Sequence, residues 1–155
     1  MEDLMVKIVL NKADKKIIAQ NVLLDLPEWF GIPEYTTNYI EQSSLMPFFA
    51  IYEEEDPVGF IALKATSIFT AEIYCMGILK QHHRNGYGKK LFETFEKYAK
   101  KQNFKLLQVK TVQQGKYNIY DRTNEFYRSM GFYELEVFPT LWDKSNPCQI
   151  FVKPI

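Results

Sequence analysis

One stretch limits what this chain can fold into more than any other: Ile78-Leu79-Lys80-Gln81-His82-His83-Arg84-Asn85-Gly86-Tyr87-Gly88-Lys89-Lys90-Leu91. An apolar run passes through a polar loop, Lys80 to Asn85, into two glycines one residue apart. Upstream, Ala71 to Leu79 reads as a strand. Downstream, Gly86 opens a helix to about Gln102, with Leu91, Phe92, Phe95, Tyr98 and Ala99 as its buried stripe. Lys89, Lys90, Lys97, Lys100 and Lys101 fall largely on the other side, a solvated face. Strand, glycine turn and amphipathic helix together are the signature of an α/β fold.

The flanking sequence fills in that fold. Leu4 to Leu10 reads as a first strand. Asp14 caps a helix to about Leu24, with Ile17, Ile18, Val22 and Leu26 at helical spacing, and Pro27 stops it. Pro33 sits in the first turn of a second helix, Glu34 to about Ser43, with Tyr35, Tyr39 and Ile40 on one side. Pro47–Tyr52 and Val58–Lys64 are strands flanking a solvated hairpin turn, Glu53-Glu54-Glu55-Asp56-Pro57. Phe104–Val112 is a strand, residues 113–122 a polar loop, and Asn124–Met130 a short helix ended by Gly131 as its C′ glycine. Strands near Phe132–Phe138 and Gln149–Lys153 follow. The expected order is β-α-α-β-β-β-α-β-α-β-β, a mixed and mostly antiparallel sheet flanked by helices.

No repeat or linker divides the 155 residues, so a single domain over 1–155 is expected. With 46% apolar and 25% charged residues the chain is globular rather than disordered. Nineteen basic against nineteen acidic residues leave no net charge, which argues against a general nucleic-acid partner. Cys75 and Cys148 form no CxxC pair and no disulfide framework, and read as buried thiols of a reducing compartment. No leader segment opens the chain, and no run approaches the ~20 apolar residues that span a bilayer, so a cytoplasmic protein without a membrane partner is expected.

The glycine loop points backbone N–H groups at one spot, where the helix dipole favours negative charge. Arg84 and Lys89 add cations, and glycine lets a phosphate approach the backbone. A pyrophosphate suits this arrangement. The dinucleotide fingerprint fails because Leu91 stands at its third glycine, and a Walker A pattern is absent. His82-His83 has no partners at zinc spacing, so no metal is expected.

His83-Arg84-Asn85-Gly86-Tyr87-Gly88 resembles motif A of the GNAT superfamily of N-acetyltransferases, Arg/Gln-x-x-Gly-x-Gly/Ala, with His83 in place of Arg or Gln. Asn124-Glu125-Phe126-Tyr127-Arg128-Ser129-Met130-Gly131-Phe132 resembles motif B, which ends in Tyr-x-x-x-Gly-Phe. The order of elements is similar to the GNAT order over nearly the whole chain. Leu26–Pro33 and Pro139–Trp142 resemble bacterial GNAT proteins that mostly lack an assigned substrate.

The resemblance implies a GNAT fold and transfer of an acetyl group from acetyl-CoA to a primary amine, directly, within a ternary complex. It implies that acetyl-CoA lies where parallel strands near 73–79 and 105–111 splay apart. His83, Arg84, Asn85, Gly86, Tyr87, Gly88 and Lys89 would cradle its pyrophosphate. Met76, Gly77 and Ile78 would hold the pantetheine arm like an added strand, and a bulge at Gly77 could aim an N–H at the developing oxyanion.

An alkyl amine titrates near ~10 and must lose a proton before attack. Glu72 is the expected base, acting directly or through water, since related enzymes carry a glutamate in the same strand. Glu72, Tyr74, Met76 and Ile78 share one strand face. Tyr127 is the expected acid for the leaving thiol. Asn124 either faces the pantetheine or caps its helix. Trp29, Phe30, Tyr35, Tyr39, Tyr74 and Trp142 are candidates for the acceptor pocket, and Glu28 and Glu34 could attract a cationic amine. A small-molecule acceptor is favoured over a protein N-terminus or lysine. The rivals are a CoA-binding regulator without turnover and an RNA-binding lysine face. Monomer and homodimer are both compatible with the sequence.

Overall fold

In the computed structural model, which describes residues 4–155, the elements follow in the expected order. They are β1 (Leu4–Ile8), α1 (Lys12–Leu24), α2 (Pro33–Ser43), β2 (Phe48–Glu53), β3 (Asp56–Ala65), β4 (Thr70–Ile78), a 3-10 turn (Lys80–His82), α3 (Tyr87–Lys101), β5 (Leu106–Val112), α4 (Asn118–Ser129), β6 (Tyr133–Asp143) and β7 (Asn146–Pro154). The strands form a mixed sheet in the order β1-β2-β3-β4-β5-β7-β6. By its contacts the chain divides into two units: residues up to Lys64 with Ile73–Gln102, and Ala65–Glu72 with Asn103–Ile155.

In the first unit β2 pairs antiparallel with both β1 and β3. Its unbroken apolar run Phe48-Phe49-Ala50-Ile51 is what a strand covered on both faces requires, and all four residues are buried. Phe48 and Ala50 pack with Ile18, Ala19, Val22 and Leu23 of α1, while Phe49 meets the Tyr98 ring of α3 at 5.1 Å. Each large side chain buried along this seam contributes roughly 1.5–3 kcal/mol. A Cβ on Gly77 would lie 2.8 Å from Val22 Cγ1 and 3.1 Å from Leu26 Cδ1, so the close approach of α1 to β4 explains that glycine.

Two local expectations need correction here. Asn11, not Asp14, caps α1: its side chain accepts the Asp14 N–H at 3.0 Å. Both are cap-type residues, and Asp14 falls instead in the first turn, where its charge suits the dipole. The hairpin turn is also tighter than the acidic run suggests. Glu53 pairs with Asp56 across the β2–β3 register, leaving only Glu54 and Glu55 as the turn, with Glu54 at φ +57°.

In the second unit β7 pairs antiparallel with β5 and β6. Helix α4 begins at Asn118, so part of the expected polar loop is helical. Asn118–Thr123 is mostly polar and gives no apolar stripe to read, but Asp121 in the first turn suits the dipole and accepts the Gly115 N–H at 2.7 Å. The helix closes as expected, with Gly131 at φ +96°. Among the described residues no helix is long and apolar enough to cross a membrane.

Candidate active site

The first unit carries the glycine loop. Strand β4 ends at Ile78, Leu79 donates its N–H to Val58 O, and the 3-10 turn carries the chain to His83. His83 Nε2 lies 2.6 Å from Ile78 O, and Trp29 packs edge-on to its ring at 6.0 Å. That explains how histidine serves where the motif has Arg or Gln: the imidazole ties the loop back to the strand. Arg84 at φ +65° and Gly86 at φ +78° then reverse the chain into α3. Gly86 caps α3 with no side-chain hydrogen bond, and a Cβ added there would meet nothing within 4 Å. The N–H groups that open α3 have no acceptor inside the helix. Arg84, Asn85 and Lys89 are exposed beside them, while Tyr87 is 2% exposed.

The same unit brings part of the aromatic set together. Phe30 meets Tyr39 at 5.7 Å and Tyr39 meets Tyr74 at 5.5 Å, with Lys64 Nζ 5.8 Å from the Tyr74 ring centre. Tyr35 stands 63% exposed on α2, away from these ring contacts. Glu28 is engaged by Lys80 Nζ at 2.7 Å, a salt bridge that already uses its charge. Along β4, half-buried Tyr74 and Met76 alternate with buried Ile73, Cys75 and Gly77, as strand geometry requires.

The second unit carries the acid–base candidates. Glu72 is 4% exposed, accepts Gln108 Nε2 at 3.1 Å and pairs with Lys110 Nζ at 3.2 Å. Sequence reading missed Gln108 and Lys110; two apart on β5, they share one strand face, which was the available signal. Tyr127 is 8% exposed against Phe126, Phe132 and Phe151, with ring centres 5.5, 5.8 and 6.1 Å away. Asn124 does not cap α4 but lies inside it, fully buried. Its Nδ2 donates to Val112 O at 2.9 Å and Tyr120 O at 2.6 Å, leaving buried Oδ1 with no donor. An orphaned acceptor at zero exposure is costly unless something brings it a proton. Trp142 stands 44% exposed on β6.

Neither cysteine is a nucleophile. Burial pushes the Cys75 thiol far up, and pushes Cys148 up to about 11, Lys110 opposing and Glu72 reinforcing the shift. Both stay protonated near neutrality, and only a thiolate attacks. Iodoacetamide at pH 8 should spare both thiols in the native protein under conditions that label both in denaturant, read by mass spectrometry. Rapid native labelling of either would contradict this.

Sequence comparison gives the class of this α/β fold a name. The profile of the Acetyltransferase (GNAT) family matches residues 18–132, and the chain belongs to that family of acetyltransferases. No curated protein matches it. Solved structures share the fold. A GNAT family acetyltransferase from Elizabethkingia anophelis, with acetyl-CoA bound, is 15% identical, with a TM-score of 0.75 over 98% of both chains. The aminoglycoside 6′-N-acetyltransferase of Enterococcus faecium is 17% identical, with a TM-score of 0.77 over 97% of this chain and 96% of that one. The ribosomal-protein-S18-alanine N-acetyltransferase of Escherichia coli is 14% identical, with a TM-score of 0.76 over 99% and 94%.

Proposed function

We propose that this chain, acting as one domain, moves an acetyl group from acetyl-CoA to the amine of a small molecule by direct transfer. The observation that carries the reading is the orphaned Oδ1 of Asn124, a buried acceptor suited to an amide N–H of a pantetheine arm. The open loop supports it from the first unit: the leading amides of α3, with Gly86, Gly88, Arg84, Asn85 and Lys89, suit a pyrophosphate. His83 fixes that loop, and the backbone of Met76, Gly77 and Ile78 suits the arm. Bound acetyl-CoA supplies an acyl thioester with a thiol as leaving group.

The chain's own residues supply the rest. Glu72 accepts the ammonium proton at its carboxylate, directly or through a water, making the amine a nucleophile. Lys110 and Gln108 hold that carboxylate in one orientation. Tyr127 holds a phenolic proton at Oη, the donor for a departing thiolate, while its ring is fixed by three phenylalanines. Phe30, Tyr39 and Tyr74 offer an aromatic wall for the acceptor, with Trp29 beside His83 as a further contact. A walled site of this kind suits a small amine better than a protein chain. The structural neighbours divide on this point, one acting on aminoglycosides and one on a ribosomal protein.

The test is thiol release from acetyl-CoA against small amines (polyamines, amino sugars, amino acids) and short peptides, with blanks lacking acceptor. Release dependent on a small amine is expected. Release only with peptides would move the acceptor to a protein, and none with any acceptor would overturn the reading.

A further inference from the structure

Glu53 lies outside every residue set that the sequence suggests for the site, in an acidic run that reads as a solvated turn. The structure gives it a different surrounding. Tyr87 Oη donates to Glu53 Oε2 at 2.6 Å, and His82 Nδ1 lies 3.3 Å from the same oxygen. The His82 and Tyr87 rings stack, with centroids 5.3 Å apart and planes 15° apart. Gln81 Nε2 lies 3.3 Å from His82 Nε2. A carboxylate only accepts, so His82 presents an Nδ1–H to Glu53.

One carboxylate therefore grips the chain just before the glycine loop, at His82, and just after its first glycine, at Tyr87. Gly86 has no side chain to anchor the turn, and Arg84 and Asn85 are exposed. Tyr87 is the buried side chain of this segment, and its polar end is held by Glu53. Glu53 is itself fixed, paired across the sheet with Leu4 on one side and Asp56 on the other. Its charge has the wrong sign to attract a phosphate, so any help it gives to anion binding is geometric. We infer that Glu53 is a positioning residue for the cofactor: through Tyr87 and His82 it holds the leading amides of α3 in the orientation that receives a pyrophosphate. This rests on the reading of the loop as the pyrophosphate site.

The test is the calorimetric Kd for CoA in the full-length wild type, Glu53→Ala, Tyr87→Phe, the double variant and Lys89→Ala, with the melting temperature of each. Glu53→Ala and Tyr87→Phe should each weaken CoA binding roughly fivefold, the scale of one charge-assisted hydrogen bond only partly transmitted to the ligand. The double variant should be no weaker than Glu53→Ala, because both changes break the same bond. Tyr87→Phe keeps the buried ring, so its melting temperature should stay near wild type while its affinity falls. Lys89→Ala reports on the loop reading alone. If it weakens CoA while Glu53→Ala and Tyr87→Phe bind like wild type, the inference is overturned and the loop reading stands. If all variants bind like wild type, both are overturned. Additive losses in the double variant, or tighter binding by Glu53→Ala, also overturn the inference.

Discussion

Glu72→Gln should lower kcat by about 10²-fold or more while leaving the fold and the Kd for CoA near wild type. The amide has the shape of the carboxylate and still accepts from Gln108 and Lys110, so the buried strand end keeps its hydrogen bonds. What it loses is the capacity to take a proton. The acid limb of the kcat/KM profile against pH should move up towards the ionisation of the amine itself, so that an amine supplied already neutral at high pH recovers part of the rate. A normal kcat with an unshifted profile would remove Glu72 from the chemistry and leave it as a paired strand-end charge.

Lys110→Met should cost about 2 kcal/mol of stability near neutral pH. It leaves a 4% exposed carboxylate with one neutral donor, Gln108. Solvent reaches the lysine side, 36% exposed, which keeps the loss below that of a fully buried pair. Glu72→Gln added to Lys110→Met should restore most of the loss, since a neutral amide needs no counter-charge. A loss under about 0.5 kcal/mol would mean that the pair is held in water.

Why some of this was legible in the sequence is a matter of range. The stripe Leu91, Phe92, Phe95 and Ala99 is local, repeats with the helix and packs as read. Gly86 and Gly131 announce themselves because positive φ excludes most other residues. Strand β2 was readable from its apolar run. The start of α4 was not, since Asn118–Thr123 is helical without an apolar stripe and draws its first-turn support from Asp121. The site was legible in part, for the same reason. Glu72 could be picked out by its position before the glycines, but its partners Gln108 and Lys110 lie more than thirty residues away on another strand. Glu53 illustrates the limit most clearly: four acidic residues in a row look like a wet turn, and only the tertiary fold sets one of them against Tyr87 and His82. His83 departs from the motif in sequence, and its bond to Ile78 O explains why the loop tolerates it.

The most direct test of the central claim is a single turnover followed by rapid-quench mass spectrometry, with enzyme in excess over acetyl-CoA and an active amine present. Direct transfer predicts that acetylated amine forms as fast as thiol is released, with no acetyl group on the protein at any time, Cys75 and Cys148 included. An acetylated protein species that rises and then decays into product would contradict direct transfer. Thiol release without acetylated amine would contradict amine acetylation itself.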